Sequence, residues 1–500
     1  MSSFQRFIAN ISWNVLGKVC VQVFLFGISI LLARYLGKEQ LGVYATLLVI
    51  PTFARLLNQF GLETLINKKI PELNVQDPSG RQARYLIQRL LAIRGASSIL
   101  FCALLYVGLP YYMDFMGTLH LLEYRPVLIL YFLIISINSL LSTLFMTRLQ
   151  YKTVSMTETV CAFLNLAFLG LFIVLDYGIY GVLYAYGIST AINILIYFGM
   201  IWNDIKGETH APDLREMYSL AGATYLAALL SLGLITQADV VLMNYFQVES
   251  AGIGFYHLAT GLGGMLAFVL VGVGPLALSI FSETYTKGAE EDLSRIWCQI
   301  VGFASFLTVP IFVFALFNAE SLIIFVYGEE FKKAGDLLSL YIIFVGCSTV
   351  LGLDFVTSTL FVLHQRNTVV RVTVEGSLIN IGLNLILIPI YQEVGAIAGT
   401  GFAMVYMVFR QLFVIQKQLE IAPVWPIIRK CLLFSLGAAI PTQAFAVLIF
   451  EHVLLSVFIY AFSFLIILAG FKPFTDAQTK VLQNIHPLLP FWLRWFVQKT

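Results

Sequence analysis

The sequence predicts an all-α integral membrane protein of about fourteen transmembrane helices, arranged as two parallel six-helix repeats followed by two further helices. Three observations predict it: a composition that water cannot solvate, apolar runs of bilayer length, and a pattern that repeats at a nearly constant offset. The 500 residues are 59% hydrophobic and 12% charged, with a mean hydropathy of +0.86. A soluble domain carries about 25% charged residues, so most of this surface must face lipid.

Apolar windows of about 20 residues delimit fourteen spans, at 13–36, 41–62, 86–110, 126–147, 154–175, 179–202, 217–243, 252–281, 296–318, 335–361, 368–390, 395–416, 427–450 and 452–471. Residues 1–12 place Phe4, Phe7, Ile8 and Ile11 on one helical face beside Arg6, which suits a helix lying on the membrane surface, and no cleavable signal is recognisable. The tail from Lys472, with Trp492, Arg494, Trp495 and Lys499, is expected to rest at the interface.

With the N-terminus placed in the cytoplasm, 23 of the 30 Lys and Arg fall on inside segments and helix ends. Five fall outside (Arg34, Lys38, Arg125, Lys332 and Lys333), and Lys18 and Arg55 lie within spans. This positive-inside bias predicts cytoplasmic termini and a multi-pass protein of the inner (plasma) membrane.

The repeat rests on four ordered echoes. Ser142-Thr143-Leu144-Phe145 returns as Ser358-Thr359-Leu360-Phe361 at an offset of 216, and Asn165 as Asn380 at 215. Gly181 and Gly187 return as Gly395 and Gly401 at 214, and Gly42-Val43-Tyr44 as Gly254-Phe255-Tyr256 at 212. An even number of spans per copy gives both copies one orientation. The expected domains are residues 1–205 and 206–420, one bundle each, with 421–500 as two extra helices and the tail.

Several functions are disfavoured. No GxxxxGK[ST] is present, and neither is a His-Glu-x-x-His or a pair of intramembrane aspartates. The six cysteines sit in apolar runs without a CxxC, and the histidines lack ligand spacing, so no metal or cofactor is expected. The longest external loops, near 111–125 and 319–334, are short for a membrane glycan polymerase. The basic residues are scattered, against nucleic acid as a partner. No catalytic residue is assigned, and the chain is read as a transporter rather than an enzyme.

Polar residues within spans are the candidate site, because charge in hydrocarbon is costly. Asn14, Lys18 and Gln22 form one stripe of the first span at i, i+4 and i+8. Arg55, Asn58 and Gln59 share a face of the second. Arg55 stands about fourteen residues from the outer end, roughly 21 Å down a core of about 30 Å. Snorkelling explains Lys18 as well as a cavity does; at Arg55 the neighbouring amides favour a cavity. Asp239 in the seventh span and His257 in the eighth are the polar features of the second copy, read as an ion-coupling pair or, for Asp239, a helix-packing hydrogen bond.

The stretches Leu32-Ala33-Arg34-Tyr35-Leu36-Gly37 with Gly42-Val43-Tyr44, Phe325-Val326-Tyr327-Gly328-Glu329-Glu330-Phe331, and the Gly181 and Gly395 hairpins resemble the polysaccharide transporter family. These are bacterial O-antigen and capsule flippases, in one superfamily with lipid II flippases and multidrug exporters. The resemblance implies two six-helix bundles around a cavity that opens alternately to each side. It also implies a polyprenyl-pyrophosphate-linked oligosaccharide as substrate, in surface polysaccharide biosynthesis. The expected partners are this lipid-linked substrate, membrane lipids, and the glycan polymerase and glycosyltransferases of the pathway, around a monomer. Lys18 and Arg55 then match the family's cavity cations by position, with Asn14, Gln22, Asn58 and Gln59 on phosphate or sugar hydroxyls. Asp239 resembles a common family aspartate, though without the family's surrounding pattern. Two alternatives stay open: an ion-coupled multidrug exporter, which would want an acidic cavity, and a membrane glycan polymerase.

Overall fold

The computed structural model describes residues 3–147, 151–211, 225, 234–268, 281, 285, 290–419, 425–449 and 453–471. These residues are helical nearly throughout, as lipid demands: a helix satisfies every backbone N–H and C=O within itself. Among them, eight helical stretches are long and apolar enough to cross a bilayer. Two of the eight hold two spans each, because a single residue breaks a long helix into two legs.

The first copy runs α1 (Ser3–Leu57), α2 (Leu62–Gln76), α3 (Arg81–Phe115), α4 (Arg125–Thr147), α5 (Tyr151–Val174) and α6 (Gly178–Ile205). In α1 the break is Gly37 at φ 68°, a left-handed conformation open to glycine at little cost, and it ends the first span where the sequence ends it. Helix begins at Ser3 and enters the first span without an intervening break, so no separate surface helix precedes it.

In the second copy, α7 (Leu234–Tyr245), α8 (Ser250–Ala267) and α9 (Glu290–Phe317) are followed by a short α10 (Ala319–Tyr327), in the stretch that the charge bias places as the second long external loop. Then come α11 (Lys333–Val350), α12 (Leu353–Val362) and α13 (Arg366–Leu419). The break in α13 is Gln392 at φ 52°. α14 (Trp425–Ile449) and α15 (Val453–Phe471) are the two added helices. The tail from Lys472 lies outside the described residues.

Two compact units result, Met1–Leu258 with Thr373–Thr400, and Ala259–Val372 with Gly401–Thr500. In the first, Leu62, Leu65 and Ile66 of α2 close a core with Leu86 and Leu90 of α3, Leu140 and Leu144 of α4 and Tyr197 of α6. In the second, Val309 and Val313 of α9 pack with Ala438 and Ala439 of α14 and Tyr460 of α15, which is how the added helices are held. Leu144 and Leu360, partners in the sequence repeat, are both fully buried.

Candidate functional site

All the features below lie in the first unit. Asp239 projects from α7 and is 2% exposed. Burying a bare carboxylate is expensive unless donors replace its water. Four do. One carboxylate oxygen accepts from Asn384 Nδ2 at 2.6 Å and from Asn380 Nδ2 at 3.5 Å. The other accepts from Thr400 Oγ1 at 2.6 Å and the Tyr256 hydroxyl at 2.5 Å. Asn380 and Asn384 are one turn apart on the first leg of α13, and Thr400 comes from its second leg, so the break at Gln392 folds the two donor sets onto one carboxylate. The side-chain oxygens Oδ1 of Asn380 and Asn384 are buried without a hydrogen-bond donor among the described residues.

His257, paired with Asp239 in the sequence reading, stands edge-on to Tyr44 with ring centroids 6.3 Å apart. Its neighbour Tyr256 is the residue that reaches the carboxylate. The sequence signal for Tyr256 was its place in the repeat, as the partner of Tyr44.

The first-copy stripes divide. Asn14 has a side chain outside those described. Lys18 and Gln22 are half-buried, and Lys18 lies within Coulomb range of Glu158, whose Oε1 accepts from Ser142 Oγ at 3.3 Å. Arg55 and Gln59 are half-buried as well. Arg55 lies within Coulomb range of Arg94 and of Tyr131 and Tyr186, two rings stacked 4.8 Å apart. Asn58 is fully buried, and its Nδ2 donates to Ser98 Oγ at 2.9 Å and Ser136 Oγ at 2.7 Å, which spends both of its N–H groups inside the bundle.

Arg94 escaped the sequence reading, which counted it among the cytoplasmic cations. It is 1% exposed, and its Nη2 donates to Glu63 Oε1 at 2.5 Å while Nη1 donates to the Asn58 carbonyl. That carbonyl immediately follows α1, and the last carbonyl of the helix, that of Leu57, which lacks an intrahelical partner, accepts from the Tyr225 hydroxyl. Two cations, Arg55 and Arg94, thus gather at the negative end of a helix dipole.

Where they cross, α1 and α8 touch backbone to backbone. A Cβ added to Gly42 would lie 1.7 Å from the Ser250 carbonyl oxygen, and one added to Gly254 would lie 2.4 Å from that of Lys38. Gly42 and Gly254 are equivalent positions of the two repeats, so the crossing brings a residue against its own repeat partner.

Residues 31–336 match a protein family described as polysaccharide biosynthesis protein. The chain belongs to that family. Its fold is similar to that of the lipid II flippase MurJ in an inward closed conformation, at 17% identity over 92% of this chain and 98% of that one, with a TM-score of 0.75. It is also similar to an inward-facing multidrug resistance MATE transporter of the MOP superfamily (16% identity, 80% and 94% covered, TM-score 0.68). A third likeness is to a MOP superfamily transporter from Pyrococcus furiosus (14% identity, 83% and 95% covered, TM-score 0.57). No curated protein sequence matches the chain. The apolar helices, the family and the fold together make this a multi-pass membrane protein with the fold of those transporters.

Proposed function

We propose that this family member is a flippase of the cytoplasmic membrane, with both termini cytoplasmic. It carries a polyprenyl-pyrophosphate-linked oligosaccharide outward by alternating access, for an O-antigen or exopolysaccharide. The observation that carries this reading is the half-buried Arg55 beside Arg94 and the stacked Tyr131–Tyr186 pair. A pyrophosphate passing through hydrocarbon faces a Born cost of tens of kcal/mol. A guanidinium binds phosphate oxygens in a bidentate fork, and the stacked tyrosines, Tyr131 of them buried, hold the wall beside it. Lys18, with Gln22 and Gln59, extends the polar surface; Asn58 does not, since its N–H groups are committed to serines. The prenyl tail stays in lipid while the head group crosses. Arg55, which no carboxylate is shown to pair among the described residues, weighs against a carrier of cationic drugs.

Asp239 is the coupling site in this reading. Its shell of neutral donors supplies no counter-charge, and the Oδ1 atoms of Asn380 and Asn384, whose Nδ2 groups face the carboxylate, are buried without a donor among the described residues. Exchanging the positions of O and N on the Asn384 amide would give a small monovalent cation a carboxylate, one amide oxygen and a hydroxyl, all hard oxygen ligands. A proton on the carboxylate would be the other way to neutralise it.

The test of the substrate assignment is charge removal at matched protein level. Arg55→Ala and Lys18→Ala should each lower delivery of glycan to the outer face, and Arg55→Lys should restore part of it. Normal delivery by the double alanine variant would return both residues to snorkelling.

A further inference from the structure

The shell around Asp239 has a counterpart in the first copy, within the same unit. In the second copy the carboxylate is ringed by Asn380, Asn384, Thr400 and Tyr256. The offsets of the sequence echoes pair these with Asn165 and Leu169 at 215, Tyr186 at 214 and Tyr44 at 212. At 212 the counterpart of Asp239 itself is Gly27. The first copy thus keeps a side-chain donor at three of the four positions and has no side chain at the position of the acceptor.

Helix packing agrees with these offsets. The Phe24 and Phe163 ring centroids are 5.7 Å apart, and a Cβ added to Gly27 would lie 3.6 Å from Leu166 Cδ1, so Gly27 of α1 stands level with Asn165 of α5. Cys161 of α5 lies beside Thr190 of α6, and one turn further along this antiparallel pair Asn165 comes opposite Tyr186. In the second copy the equivalent residues touch, since Asn380 Nδ2 donates to Thr400 Oγ1 at 2.6 Å. Tyr186 in turn lies within Coulomb range of Tyr44 and of Arg55.

Two of these donors are unpaired. Asn165 is 7% exposed and Tyr44 half-buried, and neither side chain has a hydrogen-bond partner among the described residues. Burying an amide without a partner is costly. In the second copy Asp239 takes up the equivalent donors. An anionic oxygen beside Gly27 would do the same in the first copy, and the Arg55 guanidinium would supply the positive charge that the Asp239 shell lacks.

We propose that this first-copy shell is a subsite for one phosphate of the prenyl pyrophosphate. Asn165, Tyr44 and Tyr186 donate to its oxygens, Arg55 balances its charge, and Gly27, bare of a side chain, lets it approach α1. The copy that carries its own carboxylate takes a cation or proton; the copy that lacks one takes an anion. The identity of the ligand rests on the flippase reading above.

The experiment measures binding of farnesyl pyrophosphate by calorimetry to the full chain purified in mild detergent. Asn165→Leu and Tyr44→Phe should each weaken it about tenfold, the worth of one hydrogen bond to a charged group. Gly27→Asp should abolish it, because its carboxylate then engages the same donors from within. Gly27→Asn, of the same size but neutral, should weaken it far less. Size exclusion and the melting temperature identify the variants that fold. Parent-like affinity in Asn165→Leu and Tyr44→Phe, with binding lost in Arg55→Ala, overturns the subsite and leaves the flippase reading standing. Equal losses in Gly27→Asp and Gly27→Asn would mean crowding alone and overturn it too. A parent chain that binds no farnesyl pyrophosphate overturns the subsite together with the pyrophosphate reading. Displacement by glucuronate at lower concentration than by inorganic pyrophosphate would give the site to an acidic sugar and overturn the phosphate assignment.

Discussion

A charge inside a bilayer needs either an opposite charge or a ring of dipoles, and Arg94 and Asp239 show the two courses. Arg94 takes the first course through Glu63, and Asp239 the second through Asn380, Asn384, Thr400 and Tyr256. The two differ in what they leave behind. The Arg94 pair cancels itself, whereas the Asp239 shell leaves a formal negative charge that, in the coupling proposed above, a bound cation or proton removes. Replacing Asp239 by Asn keeps the shape and deletes the charge. Transport by Asp239→Asn in reconstituted vesicles should therefore lose its dependence on a sodium or proton gradient while the protein remains monodisperse. Gradient dependence equal to that of the parent chain would reduce Asp239 to a packing residue. Asp239, Lys18 and Arg55 were legible in the sequence because a lone charge in an apolar run stands out. The donors around Asp239 were not, since Asn, Thr and Tyr within spans are common and their convergence depends on the fold of α13 at Gln392. Arg94 was masked by position: three basic residues precede it in α3, and its partner lies 31 residues away on another element.

At the scale of elements, the span limits were the most legible feature, because bilayer thickness rather than neighbouring side chains sets them. The α1 hairpin turns at Gly37 and the α13 hairpin at Gln392, both between the limits that hydropathy alone supplied. Less legible were the pieces that do not cross, α2 and α10, whose apolar runs are too short to register as spans. The turn between α2 and α3 is held by Asp77. Its carboxylate accepts from the Ser79 hydroxyl, and from the amides of Ser79 at 3.1 Å and Gln82 at 3.0 Å. The Ser79 hydroxyl, followed by the Gln82 amide, holds the Asp77 carboxyl below its ordinary range. A carboxyl lowered in the folded state stabilises above its unfolded value of about 3.9 and loses that contribution as pH falls through the folded value. Amide protection in the first turn of α3, followed by hydrogen exchange, should accordingly drop as pH is lowered from about 5 to about 3. In Asp77→Ala it should be low at both pH values. A variant with the same pH response as the parent would assign the effect to another group.

For the whole molecule, the repeat does more than double the helix count: it supplies two matching surfaces that meet at Gly42 and Gly254. Duplication was readable from four short echoes, but the meeting of repeat partners was not, because sequence offset says which residues are equivalent and nothing about whether they touch. The alternating access proposed above requires the helix ends at this crossing to part, and glycine at both positions removes the side chains that would otherwise hold them apart. Tyr256 lies two residues beyond Gly254 and donates to Asp239, so the contact and the carboxylate share one short stretch of α8. A valine at 254 would drive its Cβ to 2.4 Å from the Lys38 carbonyl oxygen, backbone that cannot rotate away. The crossing should then fail, at a cost of the order of 1–3 kcal/mol for overpacking. Against an equilibrium of a few kcal/mol between states, that is enough to invert the populations. Spin labels on Glu39→Cys and Glu249→Cys, at exposed positions flanking the crossing, read the change as a distance distribution. The parent should show a dominant short distance, and Gly254→Val a dominant longer one, with Gly254→Ala intermediate. Identical distributions in all three chains would mean that these helix ends close without this contact, and the link from Asp239 through Tyr256 would then have nothing to act on.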